Sequence, residues 1–266
     1  MNTHVRLMLL SSLILATSLM RLGAYPKPVI VFSGYEWFVK YSDYPIGPGP
    51  NLWSSENVWI DFQGRLHLRI KRINGVWYCS EVYTVKVLGH GAYIYVLDGS
   101  YDLLDEDVVL GLFAYEDNFH EVDIEIARWG NSKEDNLWYT IQPYPYTMGV
   151  NQMSYRMGRG FLAIHVIIWA RFSVQFRSFI IKSWSYGYVV ELHQWNSTRA
   201  VSADGARAHI NLWLLRGGSI EHDVEIVVRM FKFIPLEELN LSAIDELVYD
   251  ILRTYMPNSC LYNYSF

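Results

Sequence analysis

An all-β sandwich follows from three features of the sequence. Strand-like segments succeed one another with turn signals between them and no intervening helices. Aromatic residues, which favour strands, make up 16% of the 266 residues. Hydrophobic residues make up 51%, enough to fill the core of one large domain of this length. The expected architecture is a two-sheet antiparallel β-sandwich with one amphipathic helix at its C-terminal end.

The elements follow in order. Residues 25–55 are rich in Pro, Gly, Ser and Tyr and read as short strands joined by turns, with Gly47-Pro48-Gly49-Pro50 as a break. Val58–Asp61 and Leu66–Ile70 come next. Asn74-Gly75 is a hairpin signal between Ile70 and Val76–Tyr78. Glu81–Leu88 and Tyr93–Leu97 are separated by Gly89-His90-Gly91. Val108–Tyr115, Glu121–Trp129, Leu137–Pro143, Phe161–Trp169, Ser173–Ile181, Val189–Leu192, His209–Leu215 and Val224–Phe233 complete the strands. The tail changes period. Leu239, Ile244, Leu247, Val248, Ile251, Leu252 and Tyr255 recur mostly at three- and four-residue steps. They predict a helix over 243–255, capped by Ser242 with Asp245 and closed by Pro257. Its apolar stripe is expected to pack on the sandwich, with a partner-binding helix as the alternative.

The remaining composition narrows the functions. A net charge of −5 with no long basic run argues against a nucleic-acid partner. Met1–Arg6 is basic and Leu7–Met20 is apolar, which suits a signal peptide ending near Ala24 or an uncleaved N-terminal anchor. The expected organisation is therefore 1–24 as signal or anchor, 25–240 as the sandwich and 241–266 as a helical extension. The expected location is secreted or extracytoplasmic, with no other membrane attachment. The two cysteines, Cys79 and Cys260, have no zinc-ligand spacing, and their pairing is open. No Gly-x-Ser-x-Gly elbow occurs, and Gly89-x-Gly91 leads into a strand, so neither a serine hydrolase nor a nucleotide loop is indicated.

One strand carries chemistry. In His120–Trp129 the side chains of Glu121, Asp123 and Glu125 point one way, and Val122, Ile124 and Ile126 point the other way, into the core. Three carboxylates about 7 Å apart along a strand repel one another. A solvated face tolerates that. A dry, aromatic-lined sheet would instead raise their pKa values, the condition for general acid catalysis near neutral pH.

The Glu-x-Asp-x-Glu spacing with apolar residues between resembles the signature of glycoside hydrolase family 16, the laminarinase- and lichenase-like enzymes on a concanavalin-like β-jelly roll. Asn57–Asp61 with Gly64–Leu68, Gly89–Tyr93, Val109–Tyr115, His165–Trp169 and Ile210–Trp213 are similar to the family's other strands, in the same order over about 50–235. The resemblance implies a retaining glycosidase acting on β-linked polysaccharide. Glu121 would be the nucleophile, Glu125 the acid/base, and Asp123 the residue between them that tunes both. Tyr93, Trp129, Trp169 and Trp213 are candidate sugar platforms, of which one or two are expected to line the cleft. No cofactor is expected. Family members often carry a structural calcium, but no Asp-rich loop here places one. The protein is expected to act as a monomer. In lichenase-like members the strand after the Gly-aromatic-Gly turn carries a sugar-binding Glu and Arg. Here those positions read as Ile94 and Val96, which departs from mixed-linkage glucan specificity. A transglycosylase on the same residues, a noncatalytic carbohydrate-binding protein and a structural protein with a solvated acidic face are the competing readings.

Overall fold

Residues 28–143, 151–184, 187–199 and 201–255 are described by a computed structural model of the chain. The expected signal or anchor, Pro257 and Cys260 lie outside these residues. In chain order the strands are β1 (Val29–Phe32), β2 (Tyr35–Val39), β3 (Ser42–Ile46), β4 (Asn51–Trp53), β5 (Val58–Ile60), β6 (Leu66–Ile73), β7 (Val76–Thr84), β8 (Gly91–Leu97) and β9 (Val108–Asp117). They continue with β10 (His120–Ile126), β11 (Leu137–Ile141), β12 (Gln152–Tyr155), β13 (Leu162–Ala170), β14 (Ser173–Trp184), β15 (Gly187–Ser197), β16 (Arg207–Leu214) and β17 (Val224–Pro235). One helix, α1 (Leu241–Tyr255), follows.

Two large antiparallel sheets form the jelly roll. The first runs β1-β2-β7-β16-β9-β10-β11-β12. The second runs β5-β6-β17-β8-β13-β14-β15. A small sheet with β3, β4, β7 and β6 joins them at one corner, where β4 pairs with β7 in parallel. Asn74 and Gly75 both take positive φ, 50° and 86°, as a two-residue turn pairing Ile73 with Val76 demands.

The core lies between the sheets. It is filled by alternate residues such as Val122, Ile124 and Ile126 from β10 and Tyr93, Tyr95 and Leu97 from β8. A second apolar cluster lies on the outer side of the second sheet. There Ala92, Ile94, Val96, Ile164, Val166 and Ile168 meet Ile244, Val248, Ile251 and Leu252 of α1. The helix therefore covers a sheet face that would otherwise expose a large apolar patch.

Several local expectations change. Val76–Tyr78 and the start of Glu81–Leu88 are one strand, β7, because Cys79 and Ser80 continue the pairing. The strand β12 was not read from the sequence, and β15 extends well beyond Val189–Leu192. The helix cap is also different. Asn240 Oδ1 accepts from Ser242 N–H at 3.1 Å, and Asp245 accepts from Arg177 at 2.7 Å, so Asn240 rather than Ser242 caps α1. Cys79 is buried, and its Sγ donates to Asn51 Oδ1 at 3.4 Å.

Candidate active site

The outer face of the first sheet carries the site. Its rows follow from the strand register. One row runs Tyr83–His209–Phe113–Asp123–Thr140–Gln152 across six strands. The next runs Glu81–Asn211–Gly111–Glu125–Trp138–Ser154. Glu121 stands beside Tyr115 on the other flank. These residues share one face because side chains repeat every second position.

A cavity of about 380 Å³ opens on this face. Glu81, Phe113, Glu121, Asp123, Glu125 and His209 line it, together with Lys40, Asn211 and Trp213. A second cavity of about 370 Å³ continues past Glu125, between Trp129, Trp138, Thr140, Gln142 and Gln152. Gly111 lies between Asn211 and Glu125 in the row. A Cβ there would meet Asn211 Oδ1 at 2.5 Å, so only glycine leaves the floor open beside Glu125.

Local structure aims the three carboxylates. The register of β10 against β9 is continuous from Glu121 to Ile126, with a bulge immediately before Glu121 that re-aims the strand. Asp123 is buried, 4% exposed, while Glu121 and Glu125 are partly open to the cavity. Burial pushes Glu121 up to about 7; the Glu81 charge adds to the rise, and a hydrogen bond with Asp123 opposes it. Burial, with the charge of Glu121, pushes Glu125 up to about 8. Asp123 lies well above the usual carboxylate range, first through burial and then through Glu121 and Glu125 on either side. The hydrogen bond between the two side chains raises Asp123 further and lowers Glu121. Gln142 Nε2 donates to Asp123 Oδ2 at 3.4 Å. Among the described residues no cation offsets the three.

A fourth carboxylate on the same face is in the opposite state. Glu81 is buried, and burial alone would raise its pKa. His209 and Lys40 hold it below the usual range instead. Lys40 Nζ donates to Glu81 Oε2 at 2.6 Å and to Gly47 O at 2.7 Å, and it sits 3.9 Å over the Trp53 ring. His209 Nδ1 lies 3.1 Å from Glu81 Oε1.

The four predicted sugar platforms divide. Trp213 lines the first cavity and Trp129 the second, with ring centroids 6.3 Å apart. Tyr93 and Trp169 do not reach the site, which corrects the expectation. Both are 0% exposed, and they belong to β8 and β13 of the second sheet. The Tyr93 hydroxyl is used on Gly89 O, and Trp169 Nε1 donates to Val201 O at 3.0 Å. Ile94 and Val96 are corrected likewise. They face α1, away from the cavity, so they say nothing about what the cavity binds. Glu81, His209, Lys40, Trp138 and Gln142 were missed. The Glu81-Val82-Tyr83-Thr84 alternation could have flagged a second polar face, but only the pairing of β7 with β16 joins it to the site. Among the described residues no cluster of three or more His, Cys, Asp or Glu is arranged to hold a metal.

No protein-family profile matches the chain, and no curated protein matches it in sequence. Solved structures do match. A β-glucanase of Bacillus licheniformis aligns at 15% identity with a TM-score of 0.54, over 78% of this chain and 95% of that one. A glycosyl hydrolase family 16 protein of Mycobacterium smegmatis aligns at 14% identity with a TM-score of 0.50, over 74% and 91%. An immunostimulatory antigen and pseudo β-1,3-glucanase of Mycobacterium tuberculosis aligns at 14% identity with a TM-score of 0.53, over 75% and 90%. At these identities the likeness is one of fold: the chain has the jelly roll of the β-glucanases. The last of the three shows that this fold does not guarantee the activity.

Proposed function

We propose that the protein is a retaining glycoside hydrolase acting on β-linked polysaccharide. One observation carries the reading: Glu121, Asp123 and Glu125 share one strand face on a cavity, uncompensated by any described cation, with raised pKa values. A solvated acidic face or a purely structural sheet has no use for buried, mutually repelling carboxylates.

Both outer groups are raised, Glu121 to about 7 and Glu125 to about 8, and in this reading Glu121 acts as the carboxylate and Glu125 as the acid. The Glu121 carboxylate attacks the anomeric carbon as the glycosidic C–O bond breaks, and Glu125 gives its proton to the leaving oxygen. Glu125, now a carboxylate, takes a proton from water. The water oxygen attacks the same carbon, and the bond to Glu121 breaks, which retains the anomeric configuration. Asp123 steadies the Glu121 charge through its hydrogen bond while free Glu121 waits for substrate. The cavity beyond Glu125, with its Trp129 and Trp138 rings and Gln142 and Gln152 amides, suits the departing sugar chain. A transglycosylase would use the same first half-reaction, with an acceptor sugar in that cavity in place of water.

Reducing-end release from a panel of β-glucans and β-galactans tests the reading. Release by the native protein and not by Glu121→Ala is expected. Silence from the native protein alongside tight sugar binding would favour a noncatalytic carbohydrate-binding protein. The pH profile of kcat/KM should be a bell, rising through about 7 as Glu121 ionises and falling through about 8 as Glu125 does. A profile with no limb in that range contradicts the assigned roles.

A further inference from the structure

His209 stands where the proposed mechanism has no use for it. It lies in the same row as Asp123 and two strands away, about 10 Å across the sheet, on the Glu81 side. The intervening strand contributes Phe113. The ring is clamped. Tyr83 stacks on it with centroids 5.0 Å apart at 10°, and Phe113 lies 4.8 Å away at 32°. Tyr115 meets it edge-on at 5.5 Å. Nδ1 faces Glu81 Oε1 at 3.1 Å. Glu81 in turn is fixed by Lys40 at 2.6 Å. With its faces covered and Nδ1 engaged, Nε2 is the ring's remaining polar atom beside the cavity that His209 lines.

The charge state follows from the surroundings. Burial lowers the His209 pKa, and Lys40 and Arg207 lower it further. Glu81 pulls the other way without reversing the direction. Glu81 itself stays ionised. A neutral imidazole beside a carboxylate places its proton on the nitrogen facing the carboxylate, which leaves Nε2 with a bare lone pair.

We propose that His209, oriented by Glu81, is a specificity-determining residue whose Nε2 accepts a hydrogen bond from a hydroxyl of a sugar unit bound beyond the one that is cleaved. The inference deepens the glycosidase reading and rests on the cavity being a sugar cleft. Glu81 and Lys40 are positioning residues in it: they set the tautomer and hold the ring. A lone acceptor among aromatic rings selects sugars by where a hydroxyl points, since a sugar lacking one there leaves Nε2 unpaired.

Two measurements test it. The first is the nitrogen-15 NMR spectrum of the native protein. A protonated Nδ1 and a bare Nε2 are expected at His209 near neutral pH, and the opposite tautomer would overturn the proposal. The second is calorimetric binding of β-1,3- and β-1,4-linked gluco- and galacto-oligosaccharides of two to six units. Glu121→Ala is compared with the same variant carrying His209→Phe, which keeps the ring stack. The affinity gained by lengthening the chain should fall about tenfold without the imidazole. An equal gain in both overturns the proposal, and so does an absence of binding by both. Incubating the native protein with the same sugars separates the two readings. Cleavage with no His209 effect would remove only this inference. A His209 effect with no cleavage would remove only the glycosidase.

Discussion

Two groups of carboxylates face one cavity and are held in opposite states. Glu81 is buried yet ionised, because Lys40 and His209 reach both of its oxygens. Glu121, Asp123 and Glu125 are crowded on one strand without a described cation, and all three hold protons well above the ordinary carboxylate range. The same residue type is thus fixed as an anion on one side and poised to exchange protons on the other. What differs is the partner set and not the depth of burial. A compensated carboxylate suits alignment of the ring beside it, and an uncompensated one suits chemistry.

Substitutions should separate the two groups. The largest effect is expected from Glu121→Ala, which should cut turnover by about 10⁴-fold or more while sugar binding survives. Steady-state kinetics beside a binding isotherm check it, and retained turnover would dissolve the distinction. Next comes Glu125→Gln. Substrates with poor leaving groups should slow by about 10³-fold and activated aryl glycosides far less, because only the former need the proton. Equal losses would move the acid elsewhere.

Stability effects should have opposite signs. Lys40→Met removes a partner from buried Glu81 and should cost about 3 kcal/mol at pH 7, read by urea unfolding. Glu81 has a depressed folded pKa, so that stabilisation is present above the unfolded value of 4.5 and fades as pH falls through the folded one. The penalty should therefore shrink in acid. Glu125 is the reverse. Its folded pKa of about 8 lies above 4.5, so the folded state loses stability as pH rises between the two. Glu125→Gln should stabilise the fold near pH 9, by about 1.4 kcal/mol for each unit by which folding raises the Glu125 pKa, and by nothing near pH 4. A variant less stable than the native protein at pH 9 would mean the carboxylate is compensated after all.

The same contrast explains what the sequence could reveal. The acidic trio is legible because one strand carries it, and alternation alone puts its members on one face. Glu81 and His209 are 128 positions apart, and only the pairing of β7 with β16 brings them together. Tyr93 was misplaced for a related reason. Every residue of β8 is buried, since the core lies on one side and α1 on the other, so alternation gives no sign of which face meets solvent. Trp169, on the neighbouring β13, is enclosed in the same way. The helix was legible from its apolar stripe, but its cap was not, because Asn240 and Ser242 both suit the position and geometry chose Asn240.

The most direct test of the account is covalent trapping. A slow fluorinated β-glycoside with a good leaving group, matched to the sugar that the native protein cleaves, is incubated with it, and the labelled peptide is identified by mass spectrometry. One glycosyl group in ester linkage to Glu121 is expected. Attachment at Glu125 or Glu81, or turnover with inverted products and no adduct, would contradict it.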